Sequence, residues 1–521
     1  MTRPHLSQRP APAVANLAEA PHIVIIGGGI TGLSAAYTLQ QAAQAVGAPM
    51  RYTLIERAAR LGGKILTECI SAGSGTFVVE GGPDSFVAQK PWAIELVREL
   101  GLGHELMASN QMPRTTYVLH RGRPLPLPEG TMLIVPTKLV PFARSPLFSP
   151  LGKLRMALDL LIPPRRDAAD ETLAAFIRRR LGREALDRLA EPLMAGIHSA
   201  ECERQSVLAT FPRFRELEAQ HGGLIRGMLA ARRRTTDHRP TINDRRPTAV
   251  GEGGDGSSVV GRHSSFAHAP FVTLRGGVQA LVDALVLRLE GAILTGRGVT
   301  ALAYDPAASR PYRLCLDDGT LLEANAVVLT APAYAAADLL APLAPALAAA
   351  LRTIRYVSTG TITLAYRRAD VGSLLDGYGV VIPRAEGRQV NAVTLSSLKF
   401  RHRAPEDHLL VRVFVGGSRT PEALALDDTA LLALAREELR AILGIDAEPL
   451  FARVYRWQDA NPQYDVGHLE RVAALDALCP EGLYLAGSAY RGVGIPDCVR
   501  QGREAGERAL ALVTSREHTW G

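Results

Sequence analysis

The sequence predicts an α/β protein centred on a Rossmann-type nucleotide domain built from discontinuous segments, with a mixed-sheet domain and an inserted helical domain. Three observations predict it. The β-branched run His22-Ile23-Val24-Ile25-Ile26 passes directly into Gly27, Gly28, Gly29, Ile30, Thr31 and Gly32, and then into the helically spaced segment Leu33 to Leu39. A second strand, Arg51 to Ile55, ends on Glu56, about 25 residues past the last glycine. Strand-like apolar runs return far downstream at Ala326 to Thr330 and Leu483 to Leu485, so the sheet begun at Ile23 is completed by distant pieces.

The glycines divide the work of a dinucleotide fingerprint. Gly27 permits the tight turn, Gly29 lets backbone approach a pyrophosphate, and Gly32 lets the helix pack closely on the strand, so that the helix N-terminus points at the phosphates. A carboxylate at Glu56 is placed to hold a ribose hydroxyl and disfavours a cofactor bearing a 2′-phosphate. The cofactor is therefore FAD or NAD.

A chain of 521 residues exceeds what one hydrophobic core supports, so several domains are expected. Its 47% hydrophobic and 21% charged residues are an ordinary globular composition. The net charge of +7 is modest, and the arginines are dispersed without interleaved aromatics, which excludes nucleic acid as an expected partner. Anionic substrates or lipid head groups remain compatible. Five scattered cysteines, with no C-x-x-C pair, predict a reducing compartment, no disulfides and no metal. Residues 1–21 lack an apolar signal core and read as a disordered leader, Glu19 and the prolines arguing against a transit peptide; a cytoplasmic protein is expected.

Downstream of Glu56, Arg57 and the pair Gly62-Gly63 with Lys64 suit a loop under a pyrophosphate, or a surface turn with solvated charges. Gly82-Pro83-Asp84-Ser85 reads as a capped turn before a helix near Pro91. Residues 99–231 turn to helical amphipathic segments and are expected to form the inserted domain; 232–269, rich in arginine, proline and glycine, reads as a flexible loop. The nucleotide domain is expected from 22–98, 270–335 and 450–515, and a largely antiparallel substrate sheet from 336–449. A last strand runs into Gly487, and Val493-Gly494-Ile495 feed a helix whose start is marked by Pro496 and Asp497. A helix N-terminus there would stabilise the negative edge of a reduced flavin.

These residues carry a family resemblance. Gly27 to Gly32 with Glu56, then R-L-G-G-K, E-G-G-P-D-S-F, A-V-V-L-T-A-P, W-Q-D-A-N-P-Q-Y-D-V-G-H and A-G-S-A-Y-R-G-V-G-I-P-D-C-V-R-Q-G resemble the oxygen-dependent porphyrinogen oxidases of haem biosynthesis, across residues 22–513. The resemblance implies an FAD domain of the amine-oxidase (GR2-like) type, a substrate domain, and a helical domain that touches the membrane in some members. It implies that Gly27, Gly29, Ile30, Thr31 and Gly32 hold the pyrophosphate, Glu56 the ribose, and that Gly63 and Lys64 lie beside the phosphates. Gly82, Pro83, Asp84 and Ser85 would run along the flavin, Val299 would meet the adenine through its backbone, Trp457 would lie near the flavin, and Val493, Gly494 and Ile495 would face its edge.

The implied reaction is six-electron oxidation of a porphyrinogen by O2, with hydrogen peroxide released and the porphyrin handed to a ferrochelatase. The G-V-G-I-P-D-C form is similar to that of bacterial members acting on coproporphyrinogen III; protoporphyrinogen IX is the alternative, and a flavin amine oxidase or carotenoid desaturase a more distant one. Thr116 stands where organellar members carry an arginine for a propionate, so another arginine, such as Arg114, is expected to serve. Peripheral contact with the inner face of the membrane is compatible with this family.

Overall fold

The computed structural model describes residues 20–73, 75–110, 115–132, 134–198, 200–237, 269–373 and 375–517. The expected leader through residue 19, most of the 232–269 loop, and Arg114 lie outside the described residues.

Strand β1 (His22–Ile26) is buried along its whole length and runs into helix α1 (Ile30–Val46), followed by β2 (Arg51–Glu56). Three later strands complete a parallel sheet: β3 (Ala292–Thr295), β4 (Ala326–Leu329) and β5 (Leu483–Leu485), in the order β3-β2-β1-β4-β5. Continuous apolar runs such as Ile23 to Ile26 suit strands covered on both faces. α1 covers one face together with α2 (Ile495–Glu517), and helices at Ala333–Leu340 and Pro345–Arg352 cover the other. The strand order reverses at β1, with β2 on one side and β4 on the other, so a crevice opens at the carboxyl ends Ile26, Glu56, Leu329 and Leu485.

α2 starts at Ile495 and runs to Glu517, longer than the expected helix from Cys498 to Leu512. Within the 270–335 piece expected to complete the nucleotide domain, β3 and β4 join the parallel sheet and the other strands do not. Val299–Tyr304, Tyr312–Leu316 and Leu321–Ala324 pair with each other as a separate antiparallel sheet, because the tight Asp317-Asp318-Gly319 turn closes a local hairpin.

A second, seven-stranded sheet has the order Phe451–Pro462, Tyr356–Arg367, His408–Gly416, Ala392–Leu395, Gly379–Val381, Thr116–His120, Arg123–Pro126. Three of these strands fall outside the range expected for it, Arg123–Pro126 as the hairpin partner of Thr116–His120. Thr116–His120 lies in the stretch read as helical and adds parallel to Gly379–Val381. Phe451–Pro462 lies in the stretch assigned to the nucleotide domain but pairs along the Tyr356–Arg367 strand. The hairpin Thr116–Pro126 extends one side of the sheet and Phe451–Pro462 the other, through partners distant in sequence that no local pattern reveals.

The helical region has its own core, with Phe176 and Phe214 stacked at 6.0 Å. Arg180 is fully buried there: its Nε donates to Asp159 Oδ1 at 2.6 Å and its remaining nitrogens to the carbonyls of Ile162, Pro163, Asp159 and Gly222. The helix Leu224–Asp237 reaches into the stretch expected to be loop. Among the described residues no helix is long and apolar enough to cross a membrane.

Candidate cofactor and substrate site

The glycine turn explains itself in steric terms. Gly27 has φ 109°, a conformation that side chains rarely adopt. A β-carbon on Gly32 would stand 1.9 Å from the Gly27 carbonyl oxygen, so only glycine lets α1 start this close to β1. Gly29 is different. Its φ of −72° suits any residue, and a β-carbon there would meet nothing within 4 Å. The position faces open space at the N-terminus of α1, where unpaired N–H groups gather.

Glu56 sits at the carboxyl end of β2. Its Oε2 accepts from Gly28 N at 2.7 Å and its Oε1 from Ala58 N at 2.8 Å, which fixes the carboxylate while leaving lone pairs for a hydroxyl donor. The segment before Val299 lies against this end: Arg297 N donates to the Glu56 carbonyl at 3.1 Å, and Gly298 packs on the Arg57 side chain. Glu56, Arg57 and Val299 thus share one end of the crevice.

The other end is assembled from three distant segments joined by Lys64. Its ammonium donates to the Ala460 carbonyl at 2.6 Å and to Ser488 Oγ at 3.1 Å, and desolvation pushes its pKa down. Lys64 thereby ties the Gly62-Gly63 loop to the Phe451–Pro462 strand and to the segment after Gly487. Gly82 packs against the Lys64 carbonyl so tightly that a β-carbon would be 1.7 Å from it. Trp457 Nε1 donates to the Gly81 carbonyl at 2.8 Å, and Arg412 Nη2 to the Gly82 carbonyl at 2.6 Å.

The side chains of Asp84 and Ser85 are spent within the protein. Ser85 Oγ donates to Asp84 Oδ1, and Lys399 Nζ lies 3.0 Å from both Asp84 oxygens. Burial pushes the Asp84 carboxyl up, but the Lys399 ammonium and Arg412 guanidinium outweigh it and hold the group well below the usual carboxylate range. What Gly82 to Ser85 can offer a ligand is therefore chiefly backbone.

The segment from Gly487 to Gly494 is latched from two sides. Tyr464 Oη donates to the Ser488 carbonyl and accepts from Gly492 N, both at 2.8 Å. The buried Gln501 amide accepts from Gly487 N and Arg491 N and donates to the Gly492 and Asp497 carbonyls. His468 stacks on Tyr464 at 3.8 Å and bonds the Tyr490 carbonyl through Nε2. Val493 is 40% exposed while Ile495 is buried, and Asp497 at the start of α2 pairs with Lys90 Nζ at 2.6 Å.

α1 and α2 run parallel in contact, Gly502 lying on Thr31 and Gly506 on Ala35. Their N-termini therefore point the same way but are staggered: α2 begins seven residues before Gly502, so its end behind Gly494 stands about 10 Å beyond the end of α1 behind Gly29, and two positive dipole ends lie along one crevice. Open space at Gly29, a fixed carboxylate at Glu56 and paired helix N-termini fit a dinucleotide carrying a pyrophosphate. The sequence motifs mark every one of these positions. They run through Tyr464, His468 and Gln501 without giving them a role, and they do not reach Arg412 or Lys399; for Arg412 the hint is a lone arginine within the apolar strand H-L-L-V-R-V-F-V-G.

This crevice is that of a flavin-dependent oxidoreductase, and residues 30–510 match the family described as flavin containing amine oxidoreductase, to which the chain belongs. The cofactor is FAD. Within that class the similarity is to porphyrinogen oxidases. The chain is 35% identical to the coproporphyrinogen III oxidase of Bacillus subtilis (strain 168) over 95% of its length and 99% of the relative's. It is 36% identical to that of Propionibacterium freudenreichii subsp. freudenreichii over 94% and 90%. A crystal structure from Exiguobacterium sp. 255-15, provisionally described as a protoporphyrinogen oxidase, superposes with a TM-score of 0.78 at 32% identity, covering 95% of this chain and 99% of that one. The resemblance seen in the sequence motifs is thus shown along nearly the whole chain.

Proposed function

We propose that the protein oxidises coproporphyrinogen III to coproporphyrin III, removing six electrons in three rounds and reducing three O2 to three H2O2. The observation that carries this reading is Gly492-Val493-Gly494-Ile495-Pro496-Asp497, held by Tyr464 and Gln501 at the N-terminus of α2. It lies in a chain similar to coproporphyrinogen III oxidases from end to end. FAD supplies the hydride acceptor and the route to dioxygen. The chain's own residues hold and orient. Gly27 to Gly32 and Glu56 would hold the dinucleotide, Gly63 and Lys64 would close under it, and Val299 would border the adenine. Gly82 to Ser85 and Trp457 would line the ring. Val493, Gly494 and Ile495 would border its edge, where peptide N–H groups and the helix dipole favour negative charge.

The test supplies purified protein with coproporphyrinogen III and protoporphyrinogen IX separately, following porphyrin fluorescence and peroxide. Faster turnover of coproporphyrinogen III supports the reading. Faster turnover of protoporphyrinogen IX, the substrate named for the Exiguobacterium neighbour, replaces it, and inertness to both overturns it. The porphyrin product would pass to a ferrochelatase.

We further infer a cytoplasmic protein resting peripherally on an anionic membrane surface. Leu151, Leu154, Leu158 and Leu161 are spaced three, four and three apart along one face and are 78%, 62%, 40% and 76% exposed. Exposed Arg144 and Arg166 flank them. Leucines at that spacing would insert among acyl chains while the arginines meet head groups.

A further inference from the structure

Behind the Gly81 to Ser85 segment lies a small cavity that the cofactor cradle does not use. One wall is a face of the second sheet, where Thr363 and Arg412 stand directly opposite each other on paired strands. Glu80 and Asp84 line it from the nucleotide side, and Phe400 and Arg403 close its end. The space admits an occupant of about one water's size.

The charges around it do not cancel. Arg403 Nη2 lies 3.0 Å from Glu80 Oε1, and Lys399 Nζ 3.0 Å from Asp84, so two cations are matched. Arg412, only 5% exposed, donates through Nη2 to the Gly81 and Gly82 carbonyls and Thr361 Oγ1, all neutral acceptors. Among the described residues no carboxylate is in ion-pair contact with it. A guanidinium does not release its proton, so burial leaves one positive charge in excess. Three buried polar atoms on the residues lining this cavity have no partner: Arg412 Nε, Arg403 Nη1 and Thr363 Oγ1. Unpaired buried donors beside an uncompensated cation call for a ligand that is both an acceptor and negative.

We propose that this cavity binds a small monovalent anion of the halide class, chloride in ordinary salt, between Arg412 Nε, Arg403 Nη1 and Thr363 Oγ1. A neutral water would occupy the donors and leave the charge, and a dianion would overshoot it. Because Arg412 also holds the Gly81 and Gly82 carbonyls, the anion is coupled to the segment beside the FAD.

The test uses the FAD-loaded protein in gluconate buffer at fixed ionic strength, titrated with chloride while the melting temperature and the flavin visible spectrum are followed. A saturable response to chloride is expected in both readings. Thr363→Val, which removes one donor and no charge, should weaken the apparent chloride affinity roughly tenfold while the protein stays yellow. Crystals grown in bromide should show an anomalous peak between the three atoms, a measurement that needs no variant. A wild-type titration without saturation, an unchanged affinity in Thr363→Val, or no anomalous peak there in bromide overturns the proposal. No substrate enters these readings, so they stand apart from the porphyrinogen assay.

Discussion

Gly502 lies so near Thr31 that a β-carbon on it would stand 2.3 Å from the Thr31 carbonyl oxygen. Gly506 repeats the contact one turn on, 2.7 Å from the Ala35 carbonyl oxygen. These glycines set the spacing of α1 and α2, and with it the separation of the helix N-termini. Gly502→Ala should force the helices apart, cost about 1–3 kcal/mol of stability, and lower the FAD content of the purified protein. Thermal unfolding together with the visible-to-ultraviolet absorbance ratio checks this; an unchanged ratio and melting temperature would show that the helices tolerate separation.

Gly29→Val should fail in a different way. Nothing in the protein opposes a side chain at that position, so folding is preserved, but the side chain fills the space where the pyrophosphate comes close. The variant should purify colourless, with the melting temperature of the wild-type apoprotein. A yellow Gly29→Val protein with full FAD would show that the pyrophosphate lies elsewhere.

His468 makes the fold acid-sensitive. Burial, opposed by the bond to the Tyr490 carbonyl, pushes its pKa down from 6.5 to about 4. With Nε2 donating to that carbonyl, the proton would have to enter at Nδ1, which is buried without a partner. Between pH 6.5 and 4 the unfolded chain binds this proton and the native one does not. Stability is therefore fully present above pH 6.5 and declines as pH falls toward 4, by at most about 1.4 kcal/mol per pH unit from this residue. His22, also pushed down to about 4 by burial, acts in the same direction. His468→Gln should lose less melting temperature than the wild type between pH 7 and 5; equal losses would show that His468 is protonated in the native state.

The exposed leucine face predicts lipid selectivity. The wild type should sediment with vesicles containing an anionic phospholipid and remain in solution with a purely zwitterionic lipid. Leu154→Glu with Leu161→Glu should abolish sedimentation while leaving porphyrinogen turnover in detergent-free buffer within about twofold, since both side chains are already solvent-facing. Sedimentation unaffected by the double substitution would remove the leucine face as the contact.

The nucleotide domain was legible because its determinants are local. The β-branched run, the glycine spacing and the acid at the end of β2 sit within residues 22–56 and each excludes alternatives on steric or electrostatic grounds. The seven-stranded sheet was legible only in its middle. Thr116–His120 and Phe451–Pro462 join its two sides through partners about 260 and about 100 residues away, and such a strand bears no mark of which sheet it will extend. In the site, glycine and proline positions could be read because backbone needs announce themselves. The roles of Tyr464, His468 and Gln501 could not, although the quoted motifs run through them, since an aromatic, a histidine or an amide latching another segment's backbone looks in sequence like any core residue. Arg412 falls between: an arginine in an apolar strand signals that something needs a buried charge, without saying what.

The wall of the crevice formed by β5 and α2 comes from residues 483–517, whereas α1 emerges some 450 residues earlier in synthesis, as the spans Ile30–Val46 and Ile495–Glu517 show. A nascent chain on the ribosome therefore carries a glycine turn long before it has anywhere to seat a dinucleotide. FAD loading becomes a step that waits on β5 and α2, and the flavin acts as a checkpoint on chains that have reached them. Molecules interrupted anywhere before β5 cannot retain the cofactor and, lacking its stabilisation, are the ones left open to proteolysis.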